Sequence, residues 1–100
     1  MTRQRKIEAA RTEALFRSVN EHIAAAAEHA LVDDAQFICE CADVACVDKI
    51  EAPLDEYEQV RTSPKLFLIK PGHEDREVEQ VVSDEGGYEI VEKDVMPPVL

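Results

Sequence analysis

A single amphipathic pattern runs along the first third of the chain. Between Thr2 and Leu31 there is no proline or glycine, and apolar residues recur at i, i+3 and i+4, the spacing of one helical face. The residues on this predicted face are Leu15, Phe16, Val19, Ile23, Ala26, Ala27, Ala30 and Leu31. Extended upstream through Ile7, Ala10 and Ala14, the helix would be about 40 Å long. We expect its N-terminal part to overhang a body of the remaining size.

After Asp33 the hydrophobic period changes from that of a helix to that of strands. Residues 36–41 alternate, which predicts a strand. The strand face that carries both thiols holds Phe37, Cys39 and Cys41, and the opposite face holds Ile38 and Glu40. Residues 42–46 then form a tight loop, and residues 47–51 return as the second strand of a hairpin with Ile50 pointing inward.

The second half of the chain alternates short elements with turns. Pro53 is suited to the first turn of a short helix, whose buried side would be Leu54, Tyr57 and Val60. Residues 66–69 form an apolar strand that leads into the turn at residues 71–73. Residues 78–82 and 88–91 flank a glycine-containing turn and read as a closing hairpin.

These elements predict an α+β fold, with a long N-terminal helix packed on a small, mainly antiparallel sheet and a second short helix. The helix would occupy residues 1–32 and the small α+β unit residues 33–93, together forming one domain, with a disordered tail at 94–100. Only 5% of the residues are aromatic, so the core is small for a chain of 100 residues. If the N-terminal helix protrudes, a unit of about 70 residues remains, and natural proteins of that size often add a metal ion or oligomerise.

Charge is unevenly distributed along the chain. The net charge is −11, yet residues 1–17 carry +3 and the remainder carries −14. This balance opposes nonspecific binding to nucleic acid and favours an unknown protein partner of basic character. The cationic helix end also suits an acidic surface, including that of a second copy, so a homodimer through the N-terminal helix is predicted as an alternative; a solvated helix end explains the same charges.

No apolar run approaches the roughly 20 residues that a membrane span requires, and the charged N-terminus is not followed by the apolar region of a secretory signal. We therefore expect a cytoplasmic location. Three cysteines cannot all pair within one chain, and a reducing compartment would keep them available to a metal.

The chemistry of the chain is concentrated in its thiols. Cys39, Cys41 and Cys46 fall within eight residues, and His73 follows on a Pro-Gly-His turn. Three thiolates and one imidazole form a known structural zinc site, so the residues predict a structural zinc clasp. The one-residue gap between the first two cysteines is shorter than in common zinc knuckles, and it requires both side chains at a strand end to converge.

Other roles for these residues remain open at this stage. The cysteines can instead be small buried core residues with His73 on a turn, or redox-active thiols that release zinc on oxidation. Nearby carboxylates at Glu40, Asp43 and Asp48 would raise the thiol pKa values and oppose the redox role. His22 and His29 share a face of the long helix and are the reserve ligands.

Conventional catalysis has little support in the sequence. The many carboxylates between residues 56 and 79 have no aromatic cleft or second histidine beside them, and no glycine-rich phosphate loop occurs. Four protein ligands would also leave zinc without an open position for water. We therefore expect a noncatalytic, zinc-stabilised interaction or regulatory module, with a thiol-based redox sensor as the first alternative and a small enzyme as the second.

An ordered pattern of motifs covers residues 12–93. It comprises Asn20-Glu21, Phe37-x-Cys39-Glu40-Cys41-x4-Cys46, Leu54-x2-Tyr57-Glu58-x-Val60-Arg61-x2-Pro64-x2-Phe67, Pro71-Gly72-His73 and Tyr88-x-Ile90-Val91-Glu92-Lys93. This pattern resembles a group of short proteins of high-GC Gram-positive bacteria that has no assigned function. The resemblance implies a joint metal site at the three cysteines and His73, because these residues recur together in the group. It implies no activity, and similar proteins tend to have a glycine where this chain has residues 42–45.

Overall fold

The computed structural model describes residues 3–43 and 45–93, apart from the side chains of residues 5 and 6. Its elements are α1 (Arg3–Ala30), β1 (Asp34–Ile38), β2 (Lys49–Pro53), α2 (Leu54–Val60), β3 (Leu66–Ile69), β4 (Glu79–Asp84) and β5 (Glu89–Lys93). The α+β class, the long first helix, the short second helix and the strand order along the chain are confirmed. The tail predicted at residues 94–100 lies outside the described residues.

The strands form two small antiparallel sheets where the sequence suggested one. β1 pairs with β2 so that Phe37 lies opposite Ile50, and the other three strands are arranged in the order β3-β5-β4. The two sheets meet at Glu40, whose backbone N–H donates to the carbonyl of Leu68 at 2.7 Å. β1 ends at Ile38, so the three cysteines lie in the connection between β1 and β2, and the prediction that Cys39 and Cys41 belong to a strand was wrong.

The core lies between the two helices and the two sheets. Phe37 of β1 stacks on Tyr57 of α2 with ring centroids 4.4 Å apart, and both are fully buried. Phe67 and Val91 pair across β3 and β5 and are equally buried. The predicted inner face of α2 is confirmed, because Tyr57 and its two neighbours on that face, Leu54 and Val60, are buried.

The buried face of α1 differs from the predicted one. Leu15, Val19 and Leu31 are 57%, 41% and 90% exposed, and Ala26 and Ala30 are exposed too, so the prediction of that face was wrong for these five residues. The residues of α1 that are buried are Ala9, Ala10, Glu13, Asn20, Ala24 and Ala27. This face has helical spacing too, but two of its positions are polar, and a hydrophobic pattern alone cannot find such a face.

A buried ion cluster attaches α1 to the three-stranded sheet. Glu13 of α1, Glu79 of β4 and Lys93 of β5 are each at most 3% exposed. The Lys93 ammonium contacts the Glu13 carboxylate and lies 3.2 Å from Oε1 of Glu79. Burial raises the pKa of Glu13 to about 8, Lys93 opposes this shift, and a hydrogen bond with Glu79 adds to it. Around neutral pH the two carboxyl groups beside the Lys93 ammonium therefore hold one proton between them.

Among residues 3–43 and 45–93, no helix has both the length and the apolar content needed to cross a bilayer.

Candidate metal centre

The fold brings together the four predicted ligands from three separate segments. Cys39 and Cys41 follow β1, Cys46 closes the loop before β2, and His73 lies on the turn after β3. Their ligand atoms all lie within 4.8 Å of one another, so the cluster can hold a metal ion. The first two thiols are buried, at 1% and 3% exposure, whereas Cys46 and His73 are half-buried.

The distances to the imidazole match tetrahedral coordination. Nδ1 of His73 lies 3.4 Å from Sγ of Cys39 and 3.7 Å from Sγ of Cys46. Zinc bonds of about 2.3 Å to sulfur and about 2.0 Å to nitrogen, at tetrahedral angles, place the two ligand atoms about 3.5 Å apart. Nδ1 is therefore the ring nitrogen that faces the thiols.

The other ring nitrogen has a partner of its own. Nε2 of His73 lies 3.5 Å from Oδ2 of Asp48, so a neutral imidazole that carries its proton on Nε2 faces the carboxylate and leaves Nδ1 free to bind a metal. The backbone carbonyl of Asp48 also accepts from the N–H of Cys39 at 3.0 Å. The N–H of Lys70 donates to Sγ of Cys39 at 3.3 Å, which favours the thiolate form that a metal requires.

Local turn chemistry places the two half-buried ligands. Gly72 has a φ of +86°, which a glycine adopts without strain, and the N–H of His73 then donates to the carbonyl of Lys70 at 3.1 Å. In the cysteine loop, the Asp43 carboxylate accepts from the N–H of Ala45 at 2.9 Å, and its carbonyl accepts from the N–H of Cys46 at the same distance. Both bonds of Asp43 thus shape the loop that brings Cys46 to the other ligands.

Burial is the main cause that raises the pKa of the Cys39 and Cys41 thiols, and the charge interaction with Cys46 raises both pKa values further. The expected direction is therefore confirmed, but its main cause is burial and not the carboxylates named from the sequence, and the backbone N–H of Asp43 instead lowers the pKa of Cys41. Without a metal these thiols remain protonated at neutral pH, and a metal binds by displacing their protons.

Glu40 is the residue of this region that sequence reasoning missed. Its side chain is 0% exposed and its carboxylate accepts three hydrogen bonds from α1, α2 and β3. The predicted alternation does not extend to Glu40, because β1 ends at Ile38. Alternation also could not indicate that both helices contact this side chain, since these contacts come from distant parts of the chain.

The reserve ligands are not part of the cluster. His22 and His29 are exposed on α1, and Nδ1 of His22 lies 2.8 Å from the carbonyl of Ser18. Within the described part of the chain, the Cys3His group is the one cluster of at least three potential ligands close enough to hold a metal.

A shallow cavity of about 550 Å³ opens beside the cluster and is lined by Cys41, Ala42, Asp43 and His73. Two of these residues are themselves candidate ligands. Asp43 is the further ionisable residue in the lining, and its carboxylate is used in the loop turn.

Comparisons with models of known protein families, with curated proteins and with solved structures find no match for this chain.

Proposed function

We propose that the chain is a noncatalytic interaction or regulatory module, stabilised by one structural zinc ion at Cys39, Cys41, Cys46 and His73. The main support for the zinc site is that three sulfur atoms and one imidazole nitrogen lie within 4.8 Å of one another. Soft thiolates with one imidazole favour zinc over hard cations, which prefer oxygen ligands. Four protein ligands fill a tetrahedron, so the metal would have a structural role and would not activate water.

The zinc would join the connection after β1 to the turn after β3. These segments are more than 25 residues apart along the chain, since Cys46 and His73 are separated by 27 positions. Structural zinc sites contribute their binding free energy directly to folding. A small core with four aromatic residues gains most from such a cross-link.

Removing either half-buried ligand tests this proposal. We expect Cys46→Ser and His73→Ala to lose zinc, to lower the melting temperature and to abolish the tetrahedral Co²⁺ spectrum of the substituted protein. His29→Ala is the matched control, because it removes an exposed histidine outside the cluster and should change none of these readouts. Full zinc content in both ligand variants would refute the assignment.

The interaction role is supported by an acidic groove at the C-terminal end of α1. The groove has a volume of about 330 Å³, and four carboxylates, Asp33, Asp34, Asp55 and Glu58, line it together with Val32 and Leu54. Beside it Leu31 is 90% exposed and Val32 is 47% exposed. An apolar surface beside carboxylates suits a basic, amphipathic protein segment, which is the partner class we propose.

The carboxylates around this groove interact with Glu28 and Arg61. A hydrogen bond with Glu28 is the main cause that raises the pKa of Glu58, and Arg61 opposes this shift. Arg61 reaches Glu28 at 3.8 Å and is partly exposed. Four carboxylates line the groove, so a basic partner would add favourable charge interactions.

An NMR titration with an amphipathic Leu/Lys peptide tests the groove as a docking surface. We expect shifts at residues 31–34 and 54–58, and loss of binding in Asp33→Lys/Asp34→Lys. The matched control is Asp84→Lys/Glu85→Lys, which changes the charge equally at the exposed β4–β5 turn. Equal loss of binding in both double variants would show nonspecific attraction and contradict the proposal.

Two alternatives remain as outcomes of further measurement. In a redox sensor, mild peroxide would oxidise Cys41 and Cys46 to a disulfide, with peroxide reduced to water and zinc released. Retained zinc and stable thiols would reject this role.

In the second alternative, a second copy packs on the exposed Leu15 and Val19 of α1. Light scattering would then show a dimer that Leu15→Glu abolishes.

A further inference from the structure

The chain segment between the two buried thiols is held by the side-chain carboxylate of Glu40. Oε2 of Glu40 accepts from the Tyr57 hydroxyl at 2.6 Å and from the Asn20 side-chain amide at 2.8 Å. Oε1 accepts from the backbone N–H of Leu68 at 2.9 Å. The donors belong to α2, α1 and β3, so one buried side chain connects three elements to the metal cluster.

The backbone on both sides of Glu40 is fixed by the same neighbours. Asn20 donates to the carbonyl of Ile38 and accepts from its N–H, both at 2.8 Å, so its side-chain amide pairs with the end of β1 as a strand would. The N–H of Glu40 donates to the carbonyl of Leu68 at 2.7 Å. Both amide hydrogens of Asn20 are thereby used, one on Ile38 and one on Glu40.

This anchoring explains how a one-residue gap between cysteines can serve one metal. Side chains two positions apart on a regular strand lie about 6.6 Å apart. Two thiolates on one tetrahedral zinc ion must lie about 3.8 Å apart. In the structure β1 ends at Ile38, and the sulfurs of Cys39 and Cys41 fall within the 4.8 Å cluster. The chain must leave strand geometry between them, and Glu40 is the residue buried at that point.

We propose that Glu40 is a positioning residue that couples occupancy of the metal site to the packing of α1 and α2. Its carboxylate holds the peptide in the conformation that directs both neighbouring thiols to one side. Coupling between two events is reciprocal, so metal binding must in turn strengthen the contacts of Asn20 and Tyr57 with this peptide. This inference rests on the proposed zinc site and adds its link to the helices.

The test uses Tyr57→Phe, which removes the hydrogen bond to Glu40 at 2.6 Å and the longer contact with the carbonyl of Arg17 at 3.4 Å, with little change in volume. We expect zinc affinity, measured by competition with a chelator, to fall about tenfold, as for other groups that orient ligands from outside the first coordination sphere. The Co²⁺ spectrum should also shift. Tyr88→Phe is the matched control, because Tyr88 is buried too but its hydroxyl bonds Glu56, away from the cluster. We expect its affinity and spectrum to match the wild type.

A second measurement follows the coupling in the wild type by hydrogen exchange. Removing the metal should accelerate exchange in the middle of α1 around Asn20, while the turn bond from Glu85 to the carbonyl of Tyr88 should be unaffected. Where Tyr57→Phe fails to fold, Glu40→Gln and this exchange experiment decide the question.

The outcomes separate the two proposals. If the wild type binds no zinc, the proposed function fails. If it binds zinc but Tyr57→Phe has the same affinity and Co²⁺ spectrum, the zinc site stands and the positioning role of Glu40 is overturned. Unchanged exchange in α1 on metal removal overturns the coupling as well.

Discussion

Two buried acidic residues carry different physical roles in this small core. Glu40 is paired with three neutral donors, whereas Glu13 shares its surroundings with Glu79 and Lys93. Burying a charge is costly unless partners compensate it, and the cluster of Glu13 compensates only one of its two carboxylates. The consequence for Glu13 is a proton held well above the ordinary pH range of a carboxyl group.

The raised pKa of Glu13 predicts the direction in which the stability of the fold changes with pH. Between its ordinary value of 4.5 and its folded value of about 8, the folded chain holds a proton that the unfolded chain has lost. Stability must therefore fall as pH rises through this window and level off above it. Urea unfolding across the window should show this fall in the wild type, and Glu13→Gln should make it smaller; the buried carboxyl of Glu40, whose pKa burial also raises, contributes the remainder. A wild type whose stability changes with pH as the variant does would contradict the account.

At the level of the elements, α1 shows where local sequence rules succeed and where they do not. The absence of proline and glycine and the helical period predicted the element itself, whose bounds are Arg3–Ala30. Its inward face was misjudged, because Glu13 and Asn20 are buried by partners that lie far along the chain. Hydrophobic patterning records which residues avoid water, but it does not record which polar residues find a buried partner.

At the end of α1, a leucine occupies a backbone conformation that usually requires glycine. Leu31 has a φ of +59°, the left-handed position after a helix where glycine is preferred, and it is 90% exposed. The N–H of Val32 donates to the carbonyl of Ala27 at 3.2 Å, which completes this helix-ending turn. A leucine here has an unfavourable backbone conformation and no burial to offset it.

Leu31→Gly should therefore stabilise the protein by about 1 kcal/mol, because it relieves the left-handed strain. Leu31→Ala is the control, since alanine removes the apolar side chain but keeps the Cβ atom that causes the strain. We expect thermal unfolding to shift upward for glycine and to remain near the wild type for alanine. Equal melting temperatures for the two variants would contradict the strain.

For the molecule as a whole, the sequence was sufficient to predict the helices and strands and the four candidate metal ligands. Strand and turn signals are local, and thiols next to a Pro-Gly-His turn restrict the chemistry of a site to a few choices. The division into two sheets, the anchoring of Glu40 and the pairing of Glu13 with Lys93 were missed. Each depends on contacts between residues many positions apart, such as Leu68 with Glu40, which no local pattern encodes.

A metal ion that cross-links the connection after β1 to the turn after β3 can be detected by native mass spectrometry of protein purified without chelator or His tag. We expect one zinc ion per chain, and we expect the melting temperature to fall when the ion is stripped. A wild-type chain that carries no metal, and whose stability does not respond to added zinc, would rule out this cross-link.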